Sequence, residues 1–561
     1  FWLKLRRNFG IHAIHETKPM AVSEPIVADV VPKRLDDHSR DDFEMETPES
    51  KTASRRDDAT FFKRKRMLLW LPLGGYLCAA MVNDAQRAIV PLCLALVVLG
   101  CQLWDAFRSY RGEHLDKLGK QWNSFIAPFT SWILGAIVLA LIGLTVSFAW
   151  DDWQRLVPAA GLLLLVFLTW VCSAHRCHVR WRPVITGILL QFLIGLLIMR
   201  TTFGFNAFQS TGKAVSDFLA YTEKGSEFVF GDNYKETLGG AFVFSVLPVV
   251  IFFSSMVAAA YHLGLVQAVF LRIGWLMQVV MGTSYCESLM SAANIFLGQT
   301  EAPLLAKPFL AHLTCSEIHA VMTAGFASIA GGVMAAYISF NIPADHLLAA
   351  SVMSCPAALA MAKLSYPETE ICRTDDLHAI TKDESVNVLD AMATGVMTGI
   401  SLAASIAGML IAFVAAMAFL NSALEWTGSL VGLEGLTFDL VMSYIMWPLA
   451  FMMGVPQEDC LKVGLLIGEK TVLNEFVAYR HLADMVKKGE ISQKAEIIAT
   501  YALCGFSNFA SIGVQIGGLS TLAPSRKHDF ARLAFRAMAT GSVACFMTGC
   551  IAGILITDWA A

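Results

Sequence analysis

The sequence predicts an all-α polytopic membrane protein, with about eleven transmembrane helices and two re-entrant hairpins arranged as inverted repeats. Three observations predict it. Of 561 residues, 56% are hydrophobic and only 16% charged, where soluble domains carry about 25% charge. Most of the chain is a series of apolar runs about 17–25 residues long, the length that crosses roughly 30 Å of hydrocarbon. Two carboxylates, Glu301 in NIFLGQTEAP and Glu475 in KTVLNEFVAY, sit inside such runs. A carboxylate at membrane depth is costly unless it is paired or faces water, so the two mark a hydrophilic site near the midplane.

Residues 1–65 are polar, Pro-bearing and nonperiodic, and read as a disordered cytosolic tail. Spans are expected near 67–82, 88–104, 130–150, 156–173 and 183–200. The connections FKRKR, RSYRGEHLDKLGK and HRCHVRWR are basic and are expected inside, whereas NDAQ and DDW are weakly charged or acidic and are expected outside. The N-terminus is therefore placed in the cytoplasm. TGKAVSDFLAYTEKG, within 203–238, reads as a short interfacial helix outside. A span follows at about 240–262, and the amphipathic stretch 265–280 is expected along the inner surface.

The segment 284–310 is apolar but broken by Asn294, by Gly298-Gln299-Thr300-Glu301 and by Pro303. Polar backbone at mid-membrane is tolerated only where protein or a water-filled cavity surrounds it, so this reads as a re-entrant hairpin. Spans follow near 318–340, 346–363 and 390–421, with a cytosolic connection at 367–385. A second broken segment, 436–482, holds Pro448, Gly454-Val455-Pro456 and Asn474-Glu475. Final spans near 495–520 and 532–556 flank the basic APSRKHDFAR and leave the C-terminus outside.

EIHAVMTAGFASIAGG (317–332) is similar to EIIATYALCGFSNFASIG (496–513), and each copy follows one broken hairpin. By the span count the first hairpin enters from inside and the second from outside. Such inverted repeats bring discontinuous helices together at the midplane, where substrates and coupling ions bind. At the first hairpin tip, Gln299 and Thr300 can donate and accept hydrogen bonds, which suits a neutral polar heterocycle. Glu301 only accepts, which suits hydroxyl or ring N–H donors. Glu475, Asn508 and Ser511 repeat that chemistry, and Phe506 adds an apolar face. The loop CSAHRCH (172–178) matches no standard zinc spacing, and Cys504 reads as a core residue. A membrane enzyme would need a nucleophile, catalytic His or metal cluster beside Glu301 and Glu475, and none accompanies them. A channel remains the other alternative, to be separated by saturable, uphill uptake.

GQTEAPLLAKPFL, MTAGFASIAGG, AYISF, NEFVAY, ATYALCGF and LAPSRK resemble the concentrative nucleoside transporter family, of the eukaryotic type. The resemblance runs from about residue 65 to the end. It implies three accessory helices in 66–150 and a transporter core in 151–561. It also implies a sodium-coupled plasma-membrane importer, usually a homotrimer, working by an elevator motion, with no cofactor beyond the coupling Na+. On matching positions it places the nucleobase against Gln299, Thr300, Glu301 and Val333. It places the ribose against Glu475, Asn508 and Ser511, with Phe506 nearby. It places a sodium ion between the hairpin tip and the unwound helix, held by the Asn294 and Ser328 side chains and the Leu297 and Ile329 carbonyls. Gly332 stands where family members often carry Ser or Thr in the helix facing the base. That leaves room for both purine and pyrimidine nucleosides; a purine- or pyrimidine-selective symporter, or a proton-coupled variant, is the alternative.

Overall fold

Helix ends, more than helix interiors, decide this architecture. The computed structural model describes residues 74–76, 79–80, 130–149, 153–232, 234, 242–307, 309–370 and 385–556. The tail 1–65, the expected span near 88–104 and most of that near 67–82 lie outside them. Residues 1–122 and 123–561 are two separate compact units, and of the first only two short helical pieces are described. Among the described residues the regular elements are all helices. Six helices are each long and apolar enough to cross a membrane, and a seventh span results if one bent pair is counted together.

That bent pair is Leu247–His262 and Leu265–Met281, which turn by 76°. Gly264 makes the turn with φ +76°, a left-handed conformation that only glycine adopts without strain. Leu247–His262 packs along the first half of Val388–Ser429. The contact is close because Gly395 and Gly399 have no side chains. A Cβ on Gly395 would lie 2.7 Å from the Ser254 carbonyl, and one on Gly399 2.8 Å from the Ile251 Cα. Small residues at such contacts let two backbones approach within a membrane.

The first hairpin starts at Tyr285–Ala293. Ser284 and Glu287 form a capping box there, satisfying two helix-end N–H groups reciprocally. The helix stops at Asn294, and after the tip the chain returns as short 3₁₀ turns at Ala302–Ala306 and Leu310–His312 rather than as a second α-helix. Thr314 and Glu317 form a second capping box and start Cys315–Phe326. That helix breaks at 327–330 and resumes as Gly331–Ser339, so the expected span 318–340 is a discontinuous helix. Ala344–Ser365 follows, buried almost all round.

The second repeat has the same order. Phe438–Met452 stands where Leu265–Met281 stands in the first. The second hairpin is Cys460–Val472 and Glu475–Lys487. Next come Gln493–Leu503 and Phe509–Leu522, separated by a break at 504–508, and then Lys527–Leu555. The expected hairpin 436–482 therefore began too early. Pro448 lies inside a helix, and Gly454-Val455-Pro456 joins two elements instead of forming a tip. The expected interfacial helix in 203–238 is two helices, Thr202–Ala220 and Thr222–Phe230.

The base of the first hairpin is pinned by a buried ion network. Lys363 Nζ lies 2.6 Å from Glu287 Oε2 and 3.2 Å from Glu368 Oε2, and donates to Ser316 Oγ at 3.1 Å. The second hairpin base is tied at Asp459, which accepts from the Ser492 N–H at 3.0 Å and from Lys462 at 2.9 Å.

Candidate functional site

Both hairpin tips and both helix breaks meet at one place. There the backbone cannot satisfy itself, because each break leaves helix-end N–H and C=O groups without intrahelical partners. Some of those groups find each other: the Gly331 N–H, at the restart of the first broken helix, donates to the Phe296 carbonyl at the hairpin tip over 2.8 Å. Ser351 Oγ donates to the neighbouring Ile295 carbonyl at 2.6 Å. Gly331 keeps this junction tight: a Cβ there would lie 2.5 Å from the Phe253 ring and 3.1 Å from the Phe296 carbonyl oxygen.

A cavity of about 90 Å³ opens between these elements. Gln299, Thr300, Glu301, Val333, Glu475, Phe506, Asn508 and Ser511 all line it, so the structure brings together the eight side chains that the sequence resemblance singles out for substrate. Hairpin 1 contributes the first three and hairpin 2 contributes Glu475. The resumed halves of the broken helices contribute Val333 and Ser511, with Asn508 as the N-cap of Phe509–Leu522.

Capping explains the polar geometry. Asn474 caps Glu475–Lys487 by accepting the Val477 N–H at 3.0 Å, which puts Glu475 in the first turn, where a carboxylate is favoured by the helix dipole. Asn508 uses both ends of its amide. Its Oδ1 accepts the Ser511 N–H at 2.8 Å and its Nδ2 donates to Glu475 Oε2 at 2.7 Å. Glu301 Oε2 accepts the Gly298 N–H at 3.1 Å, closing the tip on itself. Behind Glu475, Tyr337 packs against Tyr479 with ring centroids 4.4 Å apart and planes tilted by 31°. Lys470, fully buried, donates to the Ala502 carbonyl at 2.9 Å just before the second break.

Asn294 and Ser328 are both buried beside the first break. Asn294 Nδ2 donates to the Met290 carbonyl at 3.0 Å and Ser328 Oγ to the Ala324 carbonyl at 2.8 Å. Asn294 Oδ1 has no hydrogen-bond partner among the described residues. Leu297 lies at the hairpin tip and Ile329 in the break.

The apolar wall of the cavity was not foreseen. Leu402, Ile406 and Met409 of Val388–Ser429 form it, and nothing in a uniformly apolar helix distinguishes them. Gly332 lines an adjoining cavity of about 360 Å³ with Phe253, Ser254 and Thr398, which shares Glu301, Ala330 and Leu402 with the first. A Cβ there would meet Ser254 Oγ at 3.6 Å. Successive helix residues lie about 100° apart, so Val333 facing the first cavity turns Gly332 away from it.

Comparison with known proteins agrees with this geometry. Residues 346–553 match the family described as "Na+ dependent nucleoside transporter C-terminus", residues 160–233 its N-terminus, and residues 243–343 "Nucleoside recognition". Solute carrier family 28 member 3 of Homo sapiens is 42% identical over 98% of this chain and 83% of its own length. Sodium/nucleoside cotransporter 1 of Homo sapiens is 44% identical over 87% of this chain and 77% of its own. Among solved structures, CNTnw in an inward-facing substrate-bound state superposes with a TM-score of 0.68 at 37% identity, covering 72% of this chain and 98% of that one. An outward-facing CNTnw variant gives 0.68 at 37% identity, covering 72% and 97%. The chain belongs to the sodium-dependent nucleoside transporter family.

Proposed function

We propose that this chain carries nucleosides across the membrane together with sodium, by alternating access. The observation that carries the reading is the composite cavity: seven polar or aromatic side chains and Val333, drawn from two inverted repeats, line it, and the Ser328 carbonyl is hydrogen-bonded to the backbone of Phe506 at its edge. In this reading Gln299, Thr300, Glu301 and Val333 hold the base. Glu475, Asn508 and Ser511 hold the ribose, whose hydroxyls suit a carboxylate acceptor, with Phe506 against the ring. Na+ is taken by Asn294 Oδ1, Ser328 Oγ and the carbonyls of Leu297 and Ile329. Uncharged oxygen donors beside a broken helix fit a hard alkali cation, and the unpartnered, buried Asn294 Oδ1 supports that assignment.

The reading extends to the whole molecule. Gly298 at the cavity that Val333 lines and Gly332 in the adjoining space leave room that supports transport of both purine and pyrimidine nucleosides. Leu247–His262 and Val388–Ser429, locked together at Gly395 and Gly399, are the static scaffold of a homotrimer. The hairpins and broken helices move past it as an elevator. Residues 1–65 are the cytosolic tail, 66–150 the accessory helices and 151–561 the core. The protein lies in the plasma membrane with its N-terminus in the cytoplasm and its C-terminus outside.

The test is uptake of radiolabelled uridine and adenosine in sodium, in choline and in acidic choline. Saturable, uphill uptake that requires sodium is expected. Equal uptake in acidic choline would replace sodium by protons as the driver, and non-saturating flux would indicate a channel.

A further inference from the structure

The polar stripe on Phe509–Leu522 continues beyond the residues assigned to substrate. Asn508, Ser511, Gln515 and Gly518 follow one another at spacings of three and four, so they share one face of the helix. The tip of hairpin 1 is seated on the far half of that face. A Cβ on Gly518 would lie 2.6 Å from Thr300 Cγ2. Gly325 keeps a second space open: a Cβ there would lie 2.6 Å from Gln515 Nε2 and 2.9 Å from Gln299 Cβ. The amide nitrogen of Gln515 and the stem of the Gln299 side chain therefore flank a bare glycine.

Gln515 is fully buried and Gln299 nearly so. Gln515 Nε2 donates to the Met322 carbonyl at 3.0 Å. A backbone carbonyl can only accept, so the nitrogen of Gln515 must face it and the oxygen must point away. Neither Gln515 Oε1 nor Gln299 Oε1 has a hydrogen-bond partner among the described residues. Buried acceptors left unsatisfied are rare and call for a donor.

We infer that Gln515 is a positioning residue that sets the polarity of Gln299 and so selects bases with an N–H donor on the edge facing it. When the site is loaded, Gln515 Oε1 accepts from Gln299 Nε2. The oxygen of Gln299 is then the end that faces the base, and it accepts the base N–H. The direction of the whole chain of hydrogen bonds is fixed at its far end by the Met322 carbonyl. Uridine offers its ring N–H, and adenosine its exocyclic amine. The inference rests on the nucleoside reading of the cavity.

Purine riboside, which is adenosine without the exocyclic amine, is the probe. Transport efficiency for adenosine and for purine riboside is compared in reconstituted vesicles, with parent and variants at matched protein and saturating sodium. The parent is expected to prefer adenosine by about tenfold, as a site built to accept a substrate N–H does. Gln515→Met and Gln515→Leu, neither of which can donate to Met322, are each expected to bring that preference to within about twofold. The sodium concentration for half-maximal uptake should stay near the parental value. A Gln515 variant that keeps the parental preference, at whatever rate, overturns the inference. Gln299→Met separates the two readings. If it removes the preference while Gln515→Met does not, the site stands and the positioning role falls. If it alters neither the preference nor the uptake of either nucleoside, the nucleoside reading of the cavity falls.

Discussion

The backbone N–H of Phe506 donates to the carbonyl of Ser328 at 3.1 Å. One residue lines the composite cavity and the other is a proposed sodium ligand, so a single backbone hydrogen bond joins the breaks of the two repeats. Ordering one break therefore orders the other, which gives sodium and nucleoside a direct means of stabilising each other's site. Asn294→Ala and Ser328→Ala should each raise the sodium concentration for half-maximal uptake by about fivefold or more, in the usual range of coupled sites. Nucleoside KM should rise at low sodium and return towards the parental value at saturating sodium, because linkage is reciprocal. Sodium activation curves that match the parent in both variants would remove these residues from the ion site.

Glu475 and Glu301 should be separable from protein amount. Glu475→Gln keeps the shape but weakens the acceptor at the Asn508 amide, 2.7 Å away. Glu301→Gln weakens the acceptor for the Gly298 N–H. Each variant should lose about tenfold or more in uridine transport efficiency with normal surface amount, the scale of an unpaired buried donor. Parental kinetics in either would contradict its place in the site.

Gly518→Ala should impair uptake through the hairpin tip. The added methyl would lie 2.6 Å from Thr300 Cγ2, whereas a methyl at Gly513 or Gly517 meets nothing within 4 Å. Overpacking of this kind costs about 1–3 kcal/mol. A several-fold loss of transport efficiency is expected for Gly518→Ala alone, with Gly513→Ala as the control on the same helix. Equal behaviour of the two would show that Thr300 is not seated on Gly518.

Lys363→Met should destabilise the protein by about 3–5 kcal/mol, because removing one partner of a buried ion pair strands the other. Here two carboxylates, Glu287 and Glu368, lose their shared cation. Thermal unfolding of the solubilised protein measures it. Adding Glu287→Gln to Lys363→Met should recover part of the loss, and no recovery would argue against the pairing.

Val333→Leu should lower the ratio of adenosine to uridine transport efficiency, since one more methylene enters a cavity of about 90 Å³ that Val333 lines. Gly332→Ser should change that ratio less, because its side chain would enter the neighbouring cavity near Ser254. A larger effect at Gly332 would reverse this assignment of the two positions.

The sequence carried the site further than it carried the fold around it. Glu301 and Glu475 stand out because a membrane makes a carboxylate conspicuous, and the polar residues beside them lie in two long, specific motifs. The repeat was legible from the Gly-Phe pairs at Gly325 and Gly505. The break at 327–330 was legible only through the resemblance, which places sodium against an unwound helix: Ala-Ser-Ile-Ala itself contains no helix breaker, and Phe296 and Phe506 supply tertiary partners for backbone groups in and beside it. Pro448 and Gly454 misled for the opposite reason, being strong local signals that packing overrides. Gln515 went unnoticed because the partners that give it meaning, Met322 and Gln299, lie about 190 to 215 residues away in the chain.

The composite cavity has a consequence for ancestry. Each repeat supplies one hairpin tip and one broken helix, and neither half encloses a site by itself. A half-length forerunner would have had nothing to carry unless two copies inserted in opposite senses and met at these tips. Fusion of two such genes would then have fixed the stoichiometry and freed the halves to diverge. The unequal hairpins, one returning through 3₁₀ turns and the other through a regular helix, are what such divergence leaves behind.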